Sequence, residues 1–102
     1  MARFSDLSDE LDLAVIGRRR RWRVRANPFI GATILVVAAD VELDLRAAVP
    51  APTGIEVHAI VLGGRLQVLG QPDWRLDGEP VTDAPLLRIV AFVRLGRVKV
   101  DR

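Results

Sequence analysis

Cysteine and tyrosine are absent from this sequence, and histidine, lysine and methionine occur once each. Without cysteine there is no disulfide, no thiolate metal site and no thiol nucleophile. The only serines, Ser5 and Ser8, stand near the N-terminus, far in sequence from the single His58. A nucleophile, a base and an orienting group therefore have almost no raw material. The expectation is a non-enzymatic protein with no catalytic residues, no metal site and no cofactor. His58 lies in "GIEVHAIVL", where a lone histidine reads as structural, beside Glu56 or toward the core. No GxGxxG and no P-loop occurs.

Long hydrophobic runs are also missing. The longest, "FIGATILVVAA" (29–39), falls well short of the ~20 residues that span a bilayer. The start, "MARFSDLSDELDL", is acidic where a secretory signal is basic and then apolar. The expected location is the cytoplasm, with a place at the inner face of the membrane left open.

Half of the 102 residues are hydrophobic and the formal net charge is +2. That composition suits one folded domain and argues against disorder. So small a net charge does not by itself point to nucleic acid. Nearly all the basic residues are arginine, and Lys99 is the one lysine.

Residues 1–13 form an acidic N-terminal tail or a short helix: Phe4, Leu7 and Leu11 fall at helical spacing, and Ser5 or Ser8 could cap it. From residue 14 to 102 the signals are those of a single all-β domain. "DVELDL" (40–45), "RLQVL" (65–69) and "RVKV" (97–100) alternate apolar and polar residues, as half-buried strands do.

Three segments line up: "ILVVAADVELDL" (34–45), "AIVLGGRLQVL" (59–69) and "AFVRLGRVKV" (91–100). Each is an apolar run, a pair of small or flexible residues, then an alternating strand. The register points are Ala39, Gly64 and Gly96. "LAVIGRRRRWRV" (13–24) is a degenerate first copy, with Gly17 near its register point. Gly17, Ala39, Gly63, Gly64 and Gly96 are the expected structural corners, where the backbone turns tightly. Prolines are confined to the stretches between copies. The architecture this predicts is a β-solenoid or β-roll of about four short imperfect coils. A compact β-sandwich with unequal hairpins is the alternative. Val37, Val41, Leu43, Val61, Leu66, Val68, Val93, Val98 and Val100 are the expected inner positions. Trp22 and Phe92 fit inward positions as well, and Trp74 covers the end or side of the core.

The one functional candidate is "GRRRRWRV" (17–24). As a strand it turns Trp22 and Val24 inward, with Arg20 at the rim beside Trp22 as a cation–π neighbour. Arg19, Arg21, Arg23 and Arg25 share the outer face, and Arg18 precedes them. Stacked copies would set this row beside Asp40, Glu42 and Asp44, a solvated acidic face, then Arg65 and Gln67, then Arg97 and Lys99. Cross-strand ion pairs are thus the first reading of the run. A site for an anionic membrane surface or an acidic protein is the second, and nucleic acid the third.

"ADVELDLRAA" (39–48), "IVLGGRLQV" (60–68), "QPDWRL" (71–76) and "VRLGRVKV" (93–100) resemble the C-terminal domain of LiaF-like cell-wall-active-antibiotic response proteins, over about residues 14–102. The resemblance implies a non-catalytic protein-interaction or regulatory module of the bacterial envelope-stress response. Its partner would be a protein, such as a membrane sensor kinase. A bactofilin-like solenoid that polymerises end to end is the structural alternative, so homo-oligomers are among the expected states. Weak binding of nucleic acid or anionic membrane through Arg18–Arg25 is the other.

Overall fold

Among the described residues every strand pairing is parallel, and all the strands belong to one sheet. The computed structural model describes residues 10–25, 28–80 and 82–102. The strands are β1 (Glu10–Ile16), β2 (Arg19–Arg23), β3 (Gly31–Asp44), β4 (Ile55–Leu69), β5 (Arg75–Leu76) and β6 (Leu86–Asp101). Their order is β1-β3-β4-β6-β5, with β2 beside β3, and the sheet does not close on itself. The described residues contain no helix. They contain no hairpin either, which removes the sandwich alternative.

β1 and β2 follow a single register along β3: Ile16 faces Val37 and Arg19 faces Asp40. They act as one strand interrupted at Gly17 and Arg18. Ala39 faces Gly64, and Gly64 faces Gly96, so the three register points read from the sequence stand side by side. Residues 1–9, where most of the expected tail or helix falls, lie outside the described residues. Residues 10–13, assigned to that tail, are strand instead. Leu11, Leu13 and Val15 alternate inward there, and Asp12 and Ala14 take the other face.

The corner has a common backbone signature. Gly17, Ala38, Gly63 and Leu95 occupy equivalent register positions and all have positive φ, of 67°, 48°, 82° and 58°. A left-handed residue in an extended chain, followed in β4 by a second positive φ at Gly64, acts like a bulge, bending the strand and shifting its alternation. Ala32, Ile34 and Val36 are buried before the corner of β3, but Val41, Leu43 and Leu45 after it. In β4 the buried set passes from Val57, Ala59 and Val61 to Leu66 and Val68. Each long strand thus has a first arm and a second arm, and the apolar rows of both join one core.

A third side is closed by the connections. Phe29 bridges to Pro50, donating its N–H to the Val49 carbonyl and accepting from Ala51. Phe29, Ala48, Ala51 and Trp74 are buried against the core, so Trp74 does cover it.

The shift at the corner overturns two inward assignments. Val37 belongs to the outer face of the first arm, in the row of Leu62, and Val36 takes the inner place. Phe92 is also outward, in the row of Ile60, and is 55% exposed. Val93 does share the inner row with Val61, but it lies on the last long strand and stays 37% exposed.

Leu95 is the residue least suited to its position. A non-glycine side chain in the left-handed region costs roughly 1–2 kcal/mol, and this one is 94% exposed. Asparagine tolerates that backbone better. Leu95→Asn is expected to raise stability by about 0.5–1 kcal/mol, seen as a higher urea midpoint. A lower midpoint would show that the leucine side chain contributes packing in the isolated chain.

Candidate functional site

The outer face of the second arm is a charge ladder. The register sets Arg19 against Asp40, Arg21 against Glu42 and Arg23 against Asp44. The corresponding N–O distances are 4.0, 2.5 and 3.6 Å. On the other side Asp40 also receives Arg65, at 3.0 Å. Gln67 donates to Asp101 across to β6. The guanidinium of Arg20 lies 4.8 Å from the centre of the Trp22 ring. Exposed pairs of this kind contribute only about 0.2–1 kcal/mol each. Their main effect is to fix register, because a slip by one residue would set Arg19 and Arg21 against the inward Val41 and Leu43 and turn the apolar row to solvent.

Three of the five candidate binding arginines, Arg19, Arg21 and Arg23, therefore face carboxylates of the same chain. Arg18 uses its carbonyl to accept the Asp40 N–H at the corner. Its side chain and that of Arg25 are exposed. Gly17, Ala39, Gly63, Gly64 and Gly96 all lie at the corner. The left-handed residue in the second and fourth copies, however, is the one preceding Ala39 and Gly96.

Asp44 departs from the solvated acidic face expected of it. It is 3% exposed. Arg46, two residues on, folds back over it: Nε and Nη2 each donate to a carboxylate oxygen at 3.0 Å, and the Arg46 backbone N–H donates at 3.0 Å as well. The Arg46 side chain holds the Asp44 carboxyl at about 2, below its ordinary 3.8. Burial opposes this, and the Arg46 N–H and the charges of Arg46 and Arg23 reinforce it.

A carboxyl whose pKa falls on folding stabilises the fold above its unfolded value, and that stabilisation is lost as pH drops through the folded value. A shift of this size corresponds to about 2 kcal/mol. Wild type should therefore exceed Asp44→Asn by about 2 kcal/mol at pH 7. The difference should shrink below about pH 4 and vanish near pH 2. Urea unfolding at pH 7, 4 and 2.5 measures it, and a difference independent of pH would remove the carboxylate from the account.

The outer face of the first arm is different in kind. Its rows across the strands are Ala14–Leu35–Ile60–Phe92 and Ile16–Val37–Leu62–Arg94, with Asp12–Thr33–His58–Val90 beyond. Ile16, Ile60, Leu62, Val90 and Phe92 are all 40% or more exposed. The sequence did hold a signal for this face. "ILVVAA", "AIVL" and "IVAFV" are continuous apolar runs, whereas "DVELDL" and "RVKV" alternate. Continuous runs belong to parallel strands covered on both faces, and alternating runs to strands with one wet face. The two arms of one strand thus differ: the second arm is finished by charge, and the first has an apolar face with nothing over it among the described residues.

At the far edge of that face Glu56 and His58 stand side by side, with Oε1 and Nε2 2.5 Å apart. Arg88 approaches Glu56 from β6. A hollow of about 170 Å³ opens beside them over Gly31 and Thr33. Among the described residues no three histidine, aspartate or glutamate side chains cluster to hold a metal ion, and no helix is long and apolar enough to cross a membrane. No protein-family model, curated protein or solved structure matches the chain.

Proposed function

We propose that this chain is a non-catalytic protein-interaction module whose body is a β-solenoid and whose working surface is the outer face of the first arm. The observation that carries the reading is the unequal finish of the two arms. A run apolar on both sides places a continuous hydrophobic surface in water unless a partner covers it. In the solenoid reading each long strand and the connection after it make one coil. The common corner, the all-parallel register and the Phe29–Pro50 bridge on the third side support it.

The resemblance to LiaF-like C-terminal domains supplies the setting: a regulatory module of the envelope-stress response, in the cytoplasm near the inner membrane face. Its partner would be a membrane sensor kinase. Pull-down from the native cell with wild type and with Ile60→Asp tests this. Recovery of a sensor kinase by wild type alone is the expected result. Recovery of nucleoid proteins, or equal recovery by the variant, overturns it.

The Arg18–Arg25 run is the weaker surface, because the acidic row of β3 already neutralises its centre. Bactofilin-like stacking end to end meets a charge conflict. A second copy laid against β6 in continuing register would set Arg19 and Arg21 beside Arg97 and Lys99. Like charges directly opposite are destabilising.

A further inference from the structure

The first-arm face is self-complementary. We propose that it is a homodimer surface, on which a second copy of this chain packs face to face about a two-fold axis running along the strands. The inference rests on reading that face as an interaction surface and names its occupant.

A two-fold axis along the strands reverses the strand order, so β1 of one copy lies over β6 of the other. The middle row then matches by size. Ala14, at the β1 end, meets Phe92, at the β6 end, and Leu35 meets Ile60. At the rim Asp12 of the β1 edge lies opposite Val90, one step along the strand from Arg88, and the Arg94 stem lies over Ile16 with its charge free to reach solvent. The other two-fold arrangement, with the axis across the strands, stacks Phe92 on Phe92 and leaves Ala14 over Ala14. That forces the sheets apart at one edge and opens a void at the other, against the close packing that interfaces require.

Leu95 adds an independent sign. It follows Phe92 by three residues, is almost fully exposed, and holds a left-handed backbone. Strain and exposure together mark a side chain retained for contact.

The area bounds the strength. Four strands about 4.8 Å apart and six to seven residues at about 3.3 Å each give a patch of roughly 400 Å² per copy. Both copies together bury about 800 Å², below the roughly 1,000 Å² of a stable specific interface and in the range of weak, transient ones. A weak dimer is therefore expected, with a dissociation constant on the order of 100 µM that is set by the fit of Phe92 and Ile60 rather than by area. The rim sets Asp12 and Glu56 against Arg88 and Arg94, so it offers an anionic lipid surface no net attraction.

Sedimentation velocity from about 1 to 500 µM tests the state. Wild type should pass from monomer to dimer. Ile60→Asp should remain monomeric, its dissociation constant raised at least about 100-fold, because symmetry buries each new charge twice. Circular dichroism and urea unfolding of the variant control for folding, since Ile60 lies outside the core.

The chain has no cysteine, so the axis can be read by cross-linking. A mixture of Ala14→Cys and Phe92→Cys chains treated with a short bismaleimide should give a mixed dimer that neither variant gives alone. Self-linking of either variant overturns the axis. A wild type that stays monomeric, or a dimer that survives Ile60→Asp, overturns the surface. Wild-type binding to vesicles of anionic lipid, lost in Ile60→Asp and without a dimer, replaces the second copy by a membrane. Should the chain stay monomeric yet recover a sensor kinase through Ile60, this inference fails and the proposed function stands. Failure of both experiments removes both.

Discussion

Gly64→Ala is expected to lower stability by about 3–5 kcal/mol, a large share of what a domain of this size has. Gly64 has φ +95°, beyond the left-handed region that alanine visits. A Cβ there would also run into the backbone carbonyl oxygen of Ala39 on the adjacent strand. That oxygen belongs to a rigid neighbour, so relief requires the two strands to part where the sheet turns. Gly63 is the internal control. Its φ is +82°, but its Cβ would sit 3.6 Å from Ala38, an ordinary contact. Gly63→Ala should therefore cost only the backbone strain, about 1–2 kcal/mol. Urea unfolding followed by tryptophan fluorescence compares the two. Equal costs would mean that close approach at the corner is not what selects glycine.

Trp74→Ala should cost about 3–5 kcal/mol, the range for removing a large buried aromatic. Trp74 is 3% exposed, although it sits in the longest connection between two of the long strands. A Cβ on Gly70 would lie 3.0 Å from Cε3 of its ring, so the indole rests directly on that backbone. The Trp74 carbonyl accepts a hydrogen bond from Arg102, which also pairs with Glu79. The Leu76 N–H and then Arg102 hold the Glu79 carboxyl below its usual range. The ring thus fastens residues 70–80 over the end of the core. Trp74→Ala should lower the urea midpoint and open this connection to proteolysis before the strands are cut. A cost below about 1 kcal/mol would place the ring outside the cooperative core.

The charge ladder is legible in the sequence because alternation fixes which side chains share a face, and Arg19, Arg21 and Arg23 on one strand meet Asp40, Glu42 and Asp44 of opposite sign on the next. The first arm was misread because counting by twos assumes an unbroken strand. One left-handed residue at Ala38 moves Val37 outward and Val36 inward, and alanine does not announce that conformation as glycine does. Phe92 stands in the outer row beside Ile60, a placement that its size alone does not signal. Burial of Asp44 depends on Arg46 folding back over it, an arrangement that alternation does not encode. β1 carried its own alternation in Leu11, Leu13 and Val15, but acidic residues beside serines resemble a helix start.

The all-parallel order has a kinetic consequence. Glu10 faces Gly31, Gly31 faces Glu56, and Ile55 faces Leu87, so the long strands join partners 21, 25 and 32 residues away. No hairpin exists among the described residues to start the process cheaply. Every long pairing must first close a loop of that length, which gives a relative contact order of roughly 0.2 or more and folding in the millisecond-to-second range. During that interval the first-arm segments stand apolar on both sides with their edges unpaired, the condition under which chains aggregate. The interval between synthesis and closure is therefore when this protein is most vulnerable.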